Sequence, residues 1–171
     1  FRRVLFRSRE WAEEIYRLPN GGKFSFDYAP YSLGMFLSIF DKTVVENAFQ
    51  AYSRGLKSTV VLLAIGYMID QAPRRMLITW PTQGHAKKFS KDNLSGELLD
   101  TTPCLQKYGS GAKKRTGKNT ILHKNFPGGV MDIIGCNAGD ARRAKAGFLY
   151  NEEIDATTTE ETDQGDRKSV V

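Results

Sequence analysis

The chain has 171 residues, 40% of them apolar and 26% charged, ordinary values for one soluble globular domain with a real core. The longest apolar run, Val60 to Ile69, is too short to span a bilayer, and the first residues do not form a signal peptide. Two distant cysteines, Cys104 and Cys136, and two isolated histidines, His85 and His123, offer no zinc-type ligand cluster and read as reduced thiols and ordinary imidazoles.

The formal charge of +6 rests largely on the ends. Residues 1–8 (FRRVLFRS) and 167–171 (RKSVV) read as translated sequencing adapter, so both ends are expected to be non-native. Setting aside their three and two positive charges leaves +1. Charge distribution is more telling. Residues 107–124 carry six basic residues and no acid, and 151–166 carry seven acids and no base.

In chain order, Arg9 to Arg17 predicts a short helix with Trp11 and Ile15 on one face. Leu18-Pro19-Asn20-Gly21-Gly22 ends it. Lys23 to Asp27 alternates like a strand. Ala29-Pro30-Tyr31 leads into an apolar helix reaching Phe40, and Thr43 to Tyr52 reads as a strand. Lys57 to Asp70 predicts a helix apolar nearly all round, hence buried. Arg75 to Trp80 is a strand ended by Pro81. Thr82 can cap the next helix, which runs to about Leu94 with Ala86 and Phe89 inward.

Thr101-Thr102-Pro103 is a break, and Gly109 to Gly117 a Gly/Lys-rich loop. Asn119 to Lys124 and Val130 to Ile134 read as paired strands joined by residues 125–129. Residues 147–151 form a last strand. Strands alternating with helices indicate an α/β layer with a largely parallel sheet.

Two segments carry candidate chemistry. Ser53-Arg54-Gly55-Leu56-Lys57-Ser58-Thr59 lies at the start of the buried helix. There a phosphate-binding loop aims backbone N–H groups, a lysine and a hydroxyl at phosphates and Mg²⁺. The pattern Gly-x-x-x-x-Gly-Lys-Ser/Thr would need glycines at 51 and 56, where the chain has Ala51 and Leu56, with Gly55 one position early. The alternative is an ordinary strand–helix turn.

The second segment is Glu152-Glu153 at the end of the last strand. There one acid can orient Mg²⁺ and the next polarise a water. Its alternative is a solvated acidic turn. The Lys57 turn and Glu152-Glu153 are expected together at the C-terminal edge of one sheet, with the strands near 44–52 and 147–151 as neighbours. Tyr31 could stack on adenine or serve as an ordinary aromatic. The basic loop, with Lys113, Lys114, Arg115 and Lys118, could track a DNA backbone or be a solvated insertion.

A collinear series then resembles one family. It runs Trp11-Ala12-Glu13, Ala29-Pro30-Tyr31, Lys57-Ser58, Ile65-Gly66-Tyr67-Met68-Ile69-Asp70, Trp80-Pro81-Thr82 and Phe89-Ser90-Lys91. It continues with Thr102-Pro103, Phe126-Pro127-Gly128-Gly129, Gly135-Cys136-Asn137-Ala138 and Glu152-Glu153-Ile154-Asp155. Together these resemble the N-terminal ATPase part of the large terminase subunit of tailed phages, of the lambda gpA type.

The resemblance implies a P-loop NTPase fold of the ASCE/RecA-like kind over residues 9–166, with ATP and Mg²⁺ as cofactors. A C-terminal nuclease domain is expected in the full-length protein and absent from this chain. The implied partners are double-stranded viral DNA, the small terminase subunit and the portal protein of the procapsid. The implied assembly is a homo-oligomeric ring in the host cytoplasm, with no membrane.

Residue by residue, the resemblance puts Lys57 and Ser58 on the phosphate-binding Lys-Ser/Thr, with Gly55 and Thr59 flanking them. Arg54 falls on the polar residue before. Tyr31 falls on the adenine-contacting segment, Glu152 on the metal-orienting Walker B acid and Glu153 on the catalytic glutamate. Leu56 in place of glycine and Glu152 in place of aspartate depart from the family pattern. A helicase-like nucleic-acid ATPase, or an inactive prophage-derived nucleotide- or DNA-binding remnant, are the alternatives.

Overall fold

The computed structural model describes residues 2–50, 55–109, 119–135 and 146–152. They fall into two compact units, Phe1–Pro73 with Asp92–Lys114, and Arg74–Lys91 with Arg115–Val171.

The first unit is helical. It contains α1 (Arg2–Glu14), a 3₁₀ turn (Phe26–Tyr28), α2 (Tyr31–Ser38) and α3 (Lys57–Asp70). Every residue of α3 from Val60 to Ile69 is buried, as its uninterrupted apolar sequence requires. Seven aromatics link into a continuous chain of ring contacts: Tyr16, Phe24, Phe26, Phe36, Phe40, Tyr67 and Trp11, with centroids 4.9–6.3 Å apart. Most of these contacts are edge-to-face, the arrangement favoured by the ring quadrupole. The Trp11 indole N–H also donates to Asp70 Oδ2 at 2.9 Å, tying α1 to the end of α3.

Three expectations need correction here. Phe24 and Phe26 alternate because both join the aromatic chain, not because they form a strand. The Ser25 side chain accepts from Asp27 N–H and starts a 3₁₀ turn, and only an isolated bridge joins Arg17 to Lys23. The described part of the expected 43–52 strand is also irregular. Asp41 accepts from the Thr43 N–H and hydroxyl at 2.8 and 2.7 Å, and Val44 N–H bonds back to the Asp41 carbonyl. This Asx turn sends the segment outward, leaving Val45 fully exposed. Finally, α1 ends at Glu14, which leaves Ile15 outside the helix and 40% exposed.

The second unit holds a four-stranded mixed, mostly parallel sheet in the order β2-β3-β1-β4. Its strands are β1 (Arg75–Trp80), β2 (His123–Phe126), β3 (Gly129–Gly135) and β4 (Phe148–Asn151). Central β1 pairs in parallel with β3 and β4, and β2 pairs antiparallel with β3. Four successive residues of β1, Met76 to Thr79, are buried, which accounts for its unbroken apolar reading. The β2–β3 hairpin is tighter than expected. Phe126 pairs directly with Gly129 across Pro127-Gly128, and Gly128 takes the positive φ (81°) that a type II turn demands after proline.

Helix α4 (Gln83–Lys88) follows β1 and packs on β1 and β3. Thr82 caps it by accepting the His85 N–H at 3.2 Å. A Cβ at Gly135 would lie 2.4 Å from the Gln83 nitrogen, so this contact between strand end and helix start needs a glycine. The helix continues as a π-helix (Phe89–Leu99), with Ala86 and Phe89 buried as expected. No helix among the described residues is long and apolar enough to cross a membrane.

Candidate phosphate-binding site

The start of α3 is the best-defined of the expected site segments. Gly55 is buried, Lys57 and Thr59 are half-buried, and Ser58 is exposed. Leu56 precedes the helix with φ 58° and ψ 11°, the left-handed conformation. It is the only non-glycine with positive φ among the described residues. Such backbone costs an L-residue about 1–2 kcal/mol and is the ordinary territory of glycine. Leu56 therefore holds glycine-like backbone at the position where the phosphate-loop pattern has glycine.

Among the described residues, Leu56 at the N-cap gives α3 no side-chain cap. The first N–H groups of a helix have no acceptor within it, and they form the positive end of the helix dipole. A first turn carrying Lys57, Ser58 and Thr59 on a buried 14-residue helix has the donor types an anion needs. The described residues thus fit a phosphate group in backbone shape and donor chemistry. The Leu56 side chain is the departure from the glycine of the pattern in this turn.

The acidic segment is described only as far as Glu152. This residue follows β4 directly, and its N–H donates to the Thr79 carbonyl at 3.2 Å, extending the β1–β4 ladder by one bond. The Thr79 hydroxyl bonds the Asn151 side chain and reaches the Tyr150 carbonyl at 3.4 Å. Glu152 is half-buried at the carboxyl end of a parallel strand, where ligand sites of open α/β sheets form. The strand neighbour expected for it was wrong. Residues 43–50 form no strand, and the described partner of β4 is β1.

Tyr31 opens α2 and is 48% exposed, with Pro30 at the N-cap. Arg54, Glu153, Lys113, Lys114, Arg115 and Lys118 lie outside the described residues. Lys57 belongs to the first compact unit and Glu152 to the second. Sequence reasoning missed the left-handed Leu56, since leucine gives no signal for that conformation, and it missed the hydroxyl of Thr79 at the end of β1.

The family model for the ATPase domain of the phage terminase large subunit gpA matches residues 19–171. The chain belongs to this family. No curated protein and no solved structure matches it. Membership in the terminase ATPase family makes ATP hydrolysis the chemistry of the domain and places it in an ATP-driven DNA-packaging motor. It also favours the terminase reading over the helicase-like one.

Proposed function

We propose that this terminase domain hydrolyses ATP within a P-loop fold of the ASCE kind, with the first turn of α3 as its phosphate-binding element. The left-handed backbone of Leu56 at the glycine position carries this reading. Bound ATP with Mg²⁺ supplies the phosphoryl group that is transferred to water. Lys57 holds phosphate oxygens through its ammonium, Ser58 offers its hydroxyl to the metal, and Gly55 and Thr59 complete the turn. Glu152 orients the metal, Arg54 adds positive charge beside the phosphates, and Tyr31 stacks on the base. Glu153 takes the proton of the attacking water.

Glu153→Gln tests the role of the second acid. The amide keeps the shape of the side chain but cannot act as a base. Nucleotide binding should persist while turnover falls by at least about a hundredfold. Turnover equal to the parent would remove Glu153 from the chemistry.

For partners, we propose double-stranded viral DNA held through the basic residues Lys113, Lys114, Arg115 and Lys118. In the full-length protein we add the small terminase subunit, the procapsid portal and a homo-oligomeric ring in the host cytoplasm, with a nuclease domain following. A second reading, an inactive nucleotide-binding remnant, draws on the Leu56 side chain. Nucleotide binding without turnover in the parent, even with DNA and Mg²⁺ supplied, would establish it.

A further inference from the structure

The outer face of α4 is a cationic array that the ATP site does not use. Lys87, Lys88 and Lys91 are all exposed, and none forms an ion pair among the described residues. The chain carries no acid between Asp70 and Asp92. The inner face of the same segment is firmly held. Ala86 and Phe89 are buried, the Phe89 ring packs 5.2 Å from Trp80, and the Ser90 hydroxyl bonds the Ile121 carbonyl. The three ammonium groups are thus mounted on a fixed helix rather than on a loop.

Lysines at the end of a helix are often placed there by the dipole. That explanation fails here, because the helix does not end at Lys88. The Phe89 N–H bonds back to Ala86 and His85, and helical backbone continues to Leu99. Like charges three and four residues apart on one face destabilise a helix by a few tenths of a kcal/mol per pair. Asp92, four residues after Lys88, is the nearest acid, and among the described residues it forms no ion pair with these lysines.

We propose that Lys87, Lys88 and Lys91 form a contact surface for the phosphate backbone of duplex DNA. This rests on the reading that the domain handles double-stranded DNA and adds a second surface, separate in sequence from the loop around Lys113. A single strand would need exposed aromatics beside the cations for base stacking, and Phe89 faces inward. A lipid surface would need apolar residues on the same face, whereas the exposed neighbours are Gln83, Gly84, His85 and Asp92. Contacts of this kind ignore sequence, which suits a protein that moves along DNA.

The test is a fluorescence-anisotropy titration of mixed-sequence duplex DNA across a salt series. Four proteins are compared: the parent, Lys87→Ala/Lys88→Ala/Lys91→Ala, Lys87→Arg/Lys88→Arg/Lys91→Arg, and the loop variant Lys113→Ala/Lys114→Ala/Arg115→Ala. The alanine variant should bind at least about tenfold more weakly at low salt, and its slope of log K against log salt should flatten by about two to three. The arginine variant should keep the parent slope. An alanine variant with the parent's affinity and slope overturns the proposal, as does a parent that prefers single strands. If the loop variant Lys113→Ala/Lys114→Ala/Arg115→Ala loses affinity while the α4 variant does not, only the α4 surface is refuted. A parent that binds no duplex refutes the DNA reading and this proposal together.

Discussion

Leu56 accepts the Val60 N–H at 2.9 Å through its carbonyl, the first hydrogen bond of α3, while its own backbone is left-handed. At an ordinary helix position alanine is more stabilising than glycine by about 1 kcal/mol. At Leu56 the order should reverse. Glycine relieves about 1–2 kcal/mol of left-handed strain, offset by about 0.5–1 kcal/mol of added backbone freedom in the unfolded chain. Alanine keeps the strain and loses the packing of the half-buried leucine. Urea unfolding should show Leu56→Gly more stable than Leu56→Ala by about 1 kcal/mol. The opposite order would mean that residue 56 is not left-handed in solution.

Gly66 should tolerate no side chain. A Cβ there would lie 2.5 Å from Trp11 Cη2 and 2.9 Å from Leu98 Cδ1, and both neighbours are buried. Gly66→Ala is therefore expected to destabilise the fold by about 1–3 kcal/mol, even though alanine favours helix. A denaturation midpoint at or above the parent's would show that α1 and α3 are packed less tightly than described.

Stability should fall at high pH through Tyr16. Burial, then the nearby Glu97 charge, pushes its phenol up from 10 to about 12. The fold holds the neutral phenol while the unfolded chain ionises first. The contribution is full below pH 10 and is lost as pH rises through about 12, a change of about 2–3 kcal/mol. Burial, then Asp70, raises the Cys104 thiol to about 11 and acts in the same direction. The difference in unfolding free energy between the parent and Tyr16→Phe should therefore shrink or change sign from pH 10 to 12. A constant difference would refute it.

The elements defined by burial were legible in the sequence. Lys57–Asp70 and Arg75–Trp80 were read with their observed limits because each is an apolar run that only burial explains. Thr82 was legible as a cap because its hydroxyl can reach the third residue of the helix. The misread segments had a period set by something other than a ladder. Phe24 and Phe26 alternate to meet neighbouring rings, and Val44-Val45 follow an Asx turn that no apolar pattern reports. The change from α to π geometry at Phe89 has no sequence signal that we can identify. At the site, residue types located the Lys57 turn and Glu152. The feature that best supports phosphate binding, the backbone of Leu56, was hidden because leucine rarely adopts that conformation.

The central claim is that the first turn of α3 holds the phosphates of ATP. Isothermal titration of Mg-ATP into the parent, Lys57→Ala and Leu56→Gly tests it most directly. Losing a charge-assisted contact to phosphate is worth about 1.5–3 kcal/mol, so Lys57→Ala should bind about ten- to a hundredfold more weakly. Leu56→Gly should bind more tightly than the parent, because the backbone shape is kept while the crowding side chain is gone. Parent affinity in Lys57→Ala, with no gain in Leu56→Gly, would contradict the account and move the nucleotide away from this turn.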